Sequence, residues 1–271
     1  MAIDVHPFFH AASNTFSYVA VDPASGAAAV IDPVLDYDPD SGTADGAPAQ
    51  ALVDAVRRHG WQVQWLLETH AHADHVSAAR WLKRHWPQAR LGIGADIVQV
   101  QRTFAGPLAL PAGFRGDGSQ FDRLFADGDG FEVGMLHGRV IAVPGHTPDS
   151  IAYLIDDALF PGDSIFMPDG GTARCDFPGG DAAQLYRSIR RLYELPDATR
   201  VFVCHDYGPG GREIACQTSI GEQKRSNIHV RHDTAERDFV QQRAARDATL
   251  PPPRLMQPAV RANIQGGAIP E

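Results

Sequence analysis

Thr69-His70-Ala71-His72-Ala73-Asp74-His75 stands directly after the apolar run from Trp61 to Leu67. Imidazoles and a carboxylate crowded so closely are costly to bury in an apolar core, yet they are the donor atoms that a metal ion takes. The preceding run reads as a strand with too few polar positions to face water, so helices or a second sheet should cover it. A metal-binding loop at the C-terminal end of a buried strand is therefore the organising feature of the chain.

Working outward, Phe16 to Val21 and Ala27 to Ile31 read as a β-hairpin closed by Asp32-Pro33, with turn chemistry in Asp22-Pro23-Ala24-Ser25-Gly26 between them. Asp36 to Pro48 lacks periodicity and reads as a surface loop, and a helix is predicted from Ala49 to His59 with Gly60 as its stop. After the motif, helices are predicted over Val76 to Trp86 and Ala95 to Thr103, flanking a strand at Arg90 to Gly94. The stretch from Phe104 to Phe121 is rich in Gly and Pro and reads as a loop.

From Phe131 onward short strands with tight turns are expected: Phe131 to Leu136, Arg139 to Val143, Ser150 to Ile155 and Ala158 to Phe160, with a turn at His137-Gly138. Asp181 reads as an N-cap for a helix carrying Leu185, Ile189 and Leu192, and Arg200 to Cys204 as a further strand. Two polar helices, Arg212 to Asn227 and Thr234 to Arg246, and a Pro-containing tail complete the chain. The organisation expected is one domain over 1–271, with 207–271 as a C-terminal helical extension. Helices and strands alternate, strands cluster, and alternation returns, which suggests two sheets sandwiched between helices.

Composition bounds the function. The chain has 271 residues, 44% hydrophobic and 21% charged, enough for a substantial core. A formal charge of −9 argues against a general nucleic-acid binder. No long apolar run suggests a membrane span, the N-terminus lacks the pattern of a secretory signal, and a cytoplasmic location is the expectation. Cys175, Cys204 and Cys216 share no C-x-x-C spacing and read as reduced thiols. An anionic substrate would need a local cationic patch, for which Arg174, Arg212, Lys224 and Arg225 are candidates.

The residues at strand ends form one set: His70, His72, Asp74, His75, His146 of Gly145-His146-Thr147, Asp163 of Gly162-Asp163, and His205. Imidazole and carboxylate suit zinc, iron or manganese. This set, in this order, resembles the metallo-β-lactamase superfamily, with T-H-x-H-x-D-H, a later G-H-T, a G-D and a final His. The resemblance implies an αββα sandwich, an α/β fold of two mixed sheets between helices. Arg174-Cys175-Asp176-Phe177 is similar to the R-x-D-F segment of the persulfide dioxygenases, also called sulfur dioxygenases, and Cys204-His205-Asp206-Tyr207 to their A-H-D-Y. Cys204 stands where Ala is usual and Cys175 where Thr is found in others, which points to a bacterial subgroup.

That resemblance implies one Fe(II) per chain on His70, His146 and Asp163, with His72, Asp74, His75 and His205 orienting ligands or moving protons. The implied reaction uses O2 to oxidise the sulfane sulfur of glutathione persulfide to sulfite. Arg174 is the expected carboxylate binder, either alongside or instead of a pairing with Asp176. Tyr207 and Arg212 are further candidates for substrate contact, and a homodimer is a possible assembly. The rival is a hydrolase of thioesters, like hydroxyacylglutathione hydrolase, or of lactones. It would bind two Zn(II) per chain on His70, His72 and His146 and on Asp74, His75 and His205, with Asp163 bridging. A secreted β-lactamase, a nuclease and a catalytically dead scaffold rank lower.

Overall fold

The computed structural model describes residues 2–108 and 110–269. Positions 1, 109, 270 and 271 of the expected 1–271 span, the second of them in the expected loop, lie outside the described residues. The first half of the chain lays down β1 (Asp4–His10), β2 (Thr15–Val21), β3 (Ala27–Ile31), β4 (Val34–Asp38), β5 (Thr43–Asp45), α1 (Ala47–His59) and β6 (Gln62–Leu67). It continues through β7 (Val76–Ser77), α2 (Ala79–Leu82), β8 (Arg90–Gly94), α3 (Ile97–Ala105) and β9 (Arg123–Phe125). The second half gives β10 (Gly130–Val133), β11 (Leu136–Ala142), β12 (Ile151–Ile155), β13 (Ala158–Phe160), α4 (Ala182–Leu192), β14 (Arg200–Phe202) and β15 (Gln217–Ser219). Three helices, α5 (Ile220–Ser226), α6 (Glu236–Asp247) and α7 (Met256–Asn263), end it.

Two six-stranded sheets result, ordered β1-β2-β3-β6-β8-β9 and β10-β11-β12-β13-β14-β15. Both are mixed: β3, β6, β8 and β9 run parallel, whereas β1, β2 and β3 are antiparallel neighbours. Alternating side chains send the two faces of each sheet into different cores. In β2, Tyr18 and Ala20 point between the sheets while Val19 and Val21 meet the outer helices. In β13, Ala158 and Phe160 enter the inter-sheet core and Leu159 the far one. The middle layer is aromatic, with Tyr18, Phe160 and Phe202 in mutual edge and stacked contacts. The α/β architecture is thus helix, sheet, sheet, helix.

Several local expectations are corrected. Asp36 to Pro48 is not all loop: β4 and β5 form a hairpin, and β4 also pairs with β7. The helix expected over Val76 to Trp86 shrinks to α2, because Val76 and Ser77 spend their backbone groups on β4. The turn falls at Gly134-Met135, not His137-Gly138; Gly134 supplies a φ of +60° to a two-residue hairpin, and His137 is an exposed strand residue. The helix expected from Arg212 is delayed to Ile220, since Gln217–Ser219 pairs with β14. The C-terminal tail folds back on its own chain, with Ala259, Val260, Ala262 and Ile264 buried in the core under the first sheet.

Asp181 caps α4 as expected, accepting from Gln184 N at 2.8 Å. Asp181→Ala should lower the unfolding free energy by about 1 kcal/mol, read as a shifted denaturant midpoint at unchanged slope.

Candidate metal centre

Every candidate ligand sits just beyond a strand, and tight backbone turns aim them at one point. The loop after β6 carries His70 to His75; Ile151 N donates to Thr69 O at 2.9 Å and so joins this loop to the opposite sheet. His146 follows Gly145, whose φ is +140° and whose absent Cβ would fall 2.3 Å from Leu185 N. Asp163 lies in the single turn Gly162–Ser164 after β13, where a Cβ on Gly162 would meet Thr69 Oγ1 at 2.6 Å. His205 follows β14 and bridges to Thr15.

One nitrogen of each imidazole is occupied by the protein, which leaves the other for the centre. His70 Nδ1 lies 3.1 Å from Thr69 Oγ1, His146 Nδ1 donates to Arg174 O at 2.7 Å, and His72 Nε2 donates to Asp32 Oδ1 at 3.0 Å. His75 Nδ1 faces Asp74 Oδ2 at 3.4 Å, and His205 Nδ1 faces Asn14 O at 3.2 Å. Consequently His70 Nε2, His72 Nδ1 and His75 Nε2 are buried without a hydrogen-bond partner. Orphaned polar atoms at such density are costly unless something binds them, and their chemistry is that of metal ligands. The residues therefore fit a metal ion.

His146 Nε2 is 3.5 Å and His70 Nε2 4.0 Å from the same oxygen, Asp163 Oδ2. His70, His146 and Asp163 form one compact donor group; His72, Asp74 and His75 form another. His205 Nε2 stands 3.3 Å from Asp163 Oδ1 and 3.5 Å from Asp74 Oδ2. The imidazoles of the cluster are pulled in opposite directions by their surroundings. Burial pulls His205 down, but Asp163 and Asp74 override it and push it up to about 10. Burial likewise opposes and Asp32 and Glu68 raise His72, to about 9. His70 goes the other way, held well below the ordinary imidazole range by burial and by the charge on His72.

The profile of the metallo-beta-lactamase superfamily matches residues 12–205. The chain belongs to that superfamily. It is 48% identical to a probable metallo-hydrolase of Burkholderia pseudomallei over 98% of this chain and 94% of that protein. It is also 48% identical to a beta-lactamase hydrolase-like protein of Agrobacterium fabrum, of which it spans 61%. Among solved structures it resembles ETHE1 from Myxococcus xanthus, with a TM-score of 0.77 and 31% identity over 99% of this chain and 100% of that one. As a superfamily member it is an enzyme with a metal-binding His/Asp cluster at the edge of its sandwich.

A cavity of about 500 Å³ opens in front of this superfamily site, with Asp74, His146, Asp163 and His205 on its floor. The expected substrate residues divide. Tyr207 is on the wall, 59% exposed, its ring parallel to His205. Arg174 lines the cavity, but its fork is spent on Asp176 at 2.6 and 2.7 Å and on the carbonyls of Pro251 and Leu250, so Arg174 and Asp176 anchor the tail instead of presenting a free cation. Arg212 is clamped between Asp169 and Asp206 and does not reach the cavity wall. Lys224 pairs with Asp197. The wall cations are Arg243, buried against Asp247, and the exposed Arg246 and Arg254, which have no ion pair among the described residues. No spacing signal marked them, since α6 is polar nearly all round.

Asp32, Glu68 and Asp149 also belong to the site, though none has a ligand-like spacing in the sequence. Asp32 closes the β2–β3 hairpin in sequence; in the fold it adopts φ +46° and takes hydrogen bonds from Thr69 N, Thr69 Oγ1 and His72 Nε2. Asp149 accepts from Ala71 N at 2.8 Å. Glu68, bonded to Ser77, lies 3.8 Å from His72 Nε2.

These charges give a test of site occupancy. An ion that takes a ring nitrogen of His72 or His205 must displace the proton that their carboxylate neighbours favour. Near neutral pH, calorimetry in buffers of differing ionisation enthalpy should show more proton release for an ion held by His72 or His205 than for one on His70, His146 and Asp163, with an affinity that rises more steeply with pH. No more release with a second ion than with the first would show that His72 and His205 give up no extra proton to it.

Proposed function

We propose that this protein is a persulfide dioxygenase that oxidises the sulfane sulfur of glutathione persulfide at one Fe(II) held by His70, His146 and Asp163. The observation that carries the reading is the convergence of two imidazole nitrogens on one carboxylate oxygen beside an open cavity. Two histidines and a carboxylate on one face leave the opposite side for a thiol persulfide and dioxygen. The resemblance of Arg174-Cys175-Asp176-Phe177 to the dioxygenase segment supports it, and the end-to-end likeness to ETHE1 fits.

The overall change is RSSH + O2 + H2O → RSH + SO3²⁻ + 2H⁺. The S–S bond breaks, the outer sulfur is oxidised, dioxygen is reduced, and the thiol leaves with a hydrogen from water. A ferrous ion, when bound, supplies the one-electron chemistry that lets dioxygen react with a closed-shell sulfur. The chain's own groups do the rest. His205 keeps a proton at Nε2 within reach of Asp74 and Asp163, at the place where protons are released. Phe177 packs edge-on against His146 and Phe166 against His205, which gives the floor apolar walls. Arg246 and Arg254 place positive charge at the mouth of a protein whose net charge is −9, which favours a carrier with carboxylates.

The second reading is a binuclear zinc hydrolase of thioesters. The unpartnered His72 Nδ1 and His75 Nε2 favour it, as does the metallo-hydrolase name of the Burkholderia relative. Anaerobically purified protein should contain iron at one per chain and consume O2 with glutathione persulfide, without cleaving lactoylglutathione. Two zinc per chain with thioester turnover and no O2 uptake would establish the hydrolase instead.

Arg246→Ala and Arg254→Ala should each raise KM for glutathione persulfide by up to about fivefold with kcat little changed, since an exposed charge pair is worth up to about 1 kcal/mol. The effect should fade in high salt.

A further inference from the structure

The loop carrying His70 to His75 has no ladder partner along most of its length, so its backbone groups must be satisfied by other means. Side chains from distant parts of the chain do this. Asp32 takes Thr69 N and Asp149 takes Ala71 N. The far end of the loop is held by Asn263, at the last turn of α7.

Asn263 is 4% exposed and uses its whole amide on the loop. Its Nδ2 donates to His72 O and to His75 O, both at 2.8 Å, and its Oδ1 accepts from Ser77 N at 2.8 Å. Both histidines are thus gripped twice. The ring of His72 is held by Asp32 and its carbonyl by Asn263; the ring of His75 is held by Asp74 and its carbonyl by Asn263. The position of α7 is fixed independently: Ala259, Val260 and Ala262 are buried, and Gln101 Nε2 donates to Ile264 O at 2.8 Å. Gly267, at φ +80°, lets the chain after α7 pass where a Cβ would lie 2.8 Å from Ser77 O.

We propose that Asn263 is a positioning residue of the metal centre, fixing the peptide groups of His72 and His75 so that their rings stay in place in the donor cluster. The C-terminal helix is then part of the metal site, and not only a cover for the first sheet. In the two-metal reading the rings of His72 and His75 hold an ion directly, and in the one-ion dioxygenase reading His72 backs the ligand His70, their ring centroids 4.0 Å apart, so the inference does not depend on which reaction the site runs.

The test uses the full-length protein, stripped of metal and reloaded with Zn(II) or, anaerobically, with Fe(II), with affinity read by chelator competition. Asn263→Ala and the near-isosteric Asn263→Asp, which keeps an acceptor for Ser77 N but loses both donors, should bind metal about 10- to 100-fold more weakly. Val260→Ala loosens the same helix without touching the loop, and should lower thermal stability while leaving metal affinity unchanged. Wild-type affinity in both Asn263 variants, or an equal loss in Val260→Ala, would overturn the proposal. Hydrogen exchange on the wild type covers the case in which the variants do not fold. By linkage, metal binding should slow exchange of the Ser77 amide that Asn263 accepts. An exchange rate identical in loaded and stripped protein would equally overturn it.

Discussion

The carboxylate of Asp32 is the constraint on which the site depends. It sits at the end of β3 with a left-handed backbone, an uncommon conformation outside glycine, and takes three hydrogen bonds from the first turn of the histidine loop. One of these fixes His72 with Nε2 inward and Nδ1 outward; another orients the Thr69 hydroxyl, which in turn meets His70 Nδ1. A single buried anion thereby sets the tautomers of two candidate ligands. Its own cost is offset because every donor it faces is itself buried and would otherwise be unpaired.

The sandwich supplies what one loop could not. Ligands come from both sheets, so the site exists only when the sheets are packed face to face. The aromatic middle layer of Tyr18, Phe160 and Phe202 holds that spacing, and the Tyr18 hydroxyl donates to Val203 O at 2.5 Å, two residues before His205. Gly145 and Gly162 let two ligand turns approach α4 and Thr69 more closely than any side chain would permit. Packing between sheets is thus converted into ligand geometry at their edge.

Charge is arranged in the same layered way. The floor of the cavity alternates imidazoles and carboxylates, so that each offsets the burial of its neighbour. The wall above it is cationic and belongs to α6 and the segment after it. Arg174 donates to Pro251 O, Arg243 donates to Thr172 O and Asp247 accepts from Cys175 N, which fastens that segment in place and leaves Arg246 and Arg254 to face solvent at the mouth.

The sequence by itself determined the seven strand-end residues, the central strands as segments of the chain, the capped helix at Asp181 and the layered α/β architecture. These are local signals: a ligand motif after a buried strand and a carboxylate three residues before the amide it caps. Its misreadings were also local. Val76 to Trp86 has a helical pattern, but Val76 and Ser77 find a better partner in β4, from which more than forty residues separate them only along the chain. Only the tertiary structure decided which nitrogen of each histidine is free, because the groups that occupy the other one, Asp32, Asn14 and the Arg174 carbonyl, are set by packing. It also decided that Arg174 and Arg212 are clamps and that Asn263 reaches back to the metal loop. A hydrogen bond depends on distance in space, and a buried donor takes whichever acceptor the fold delivers to it.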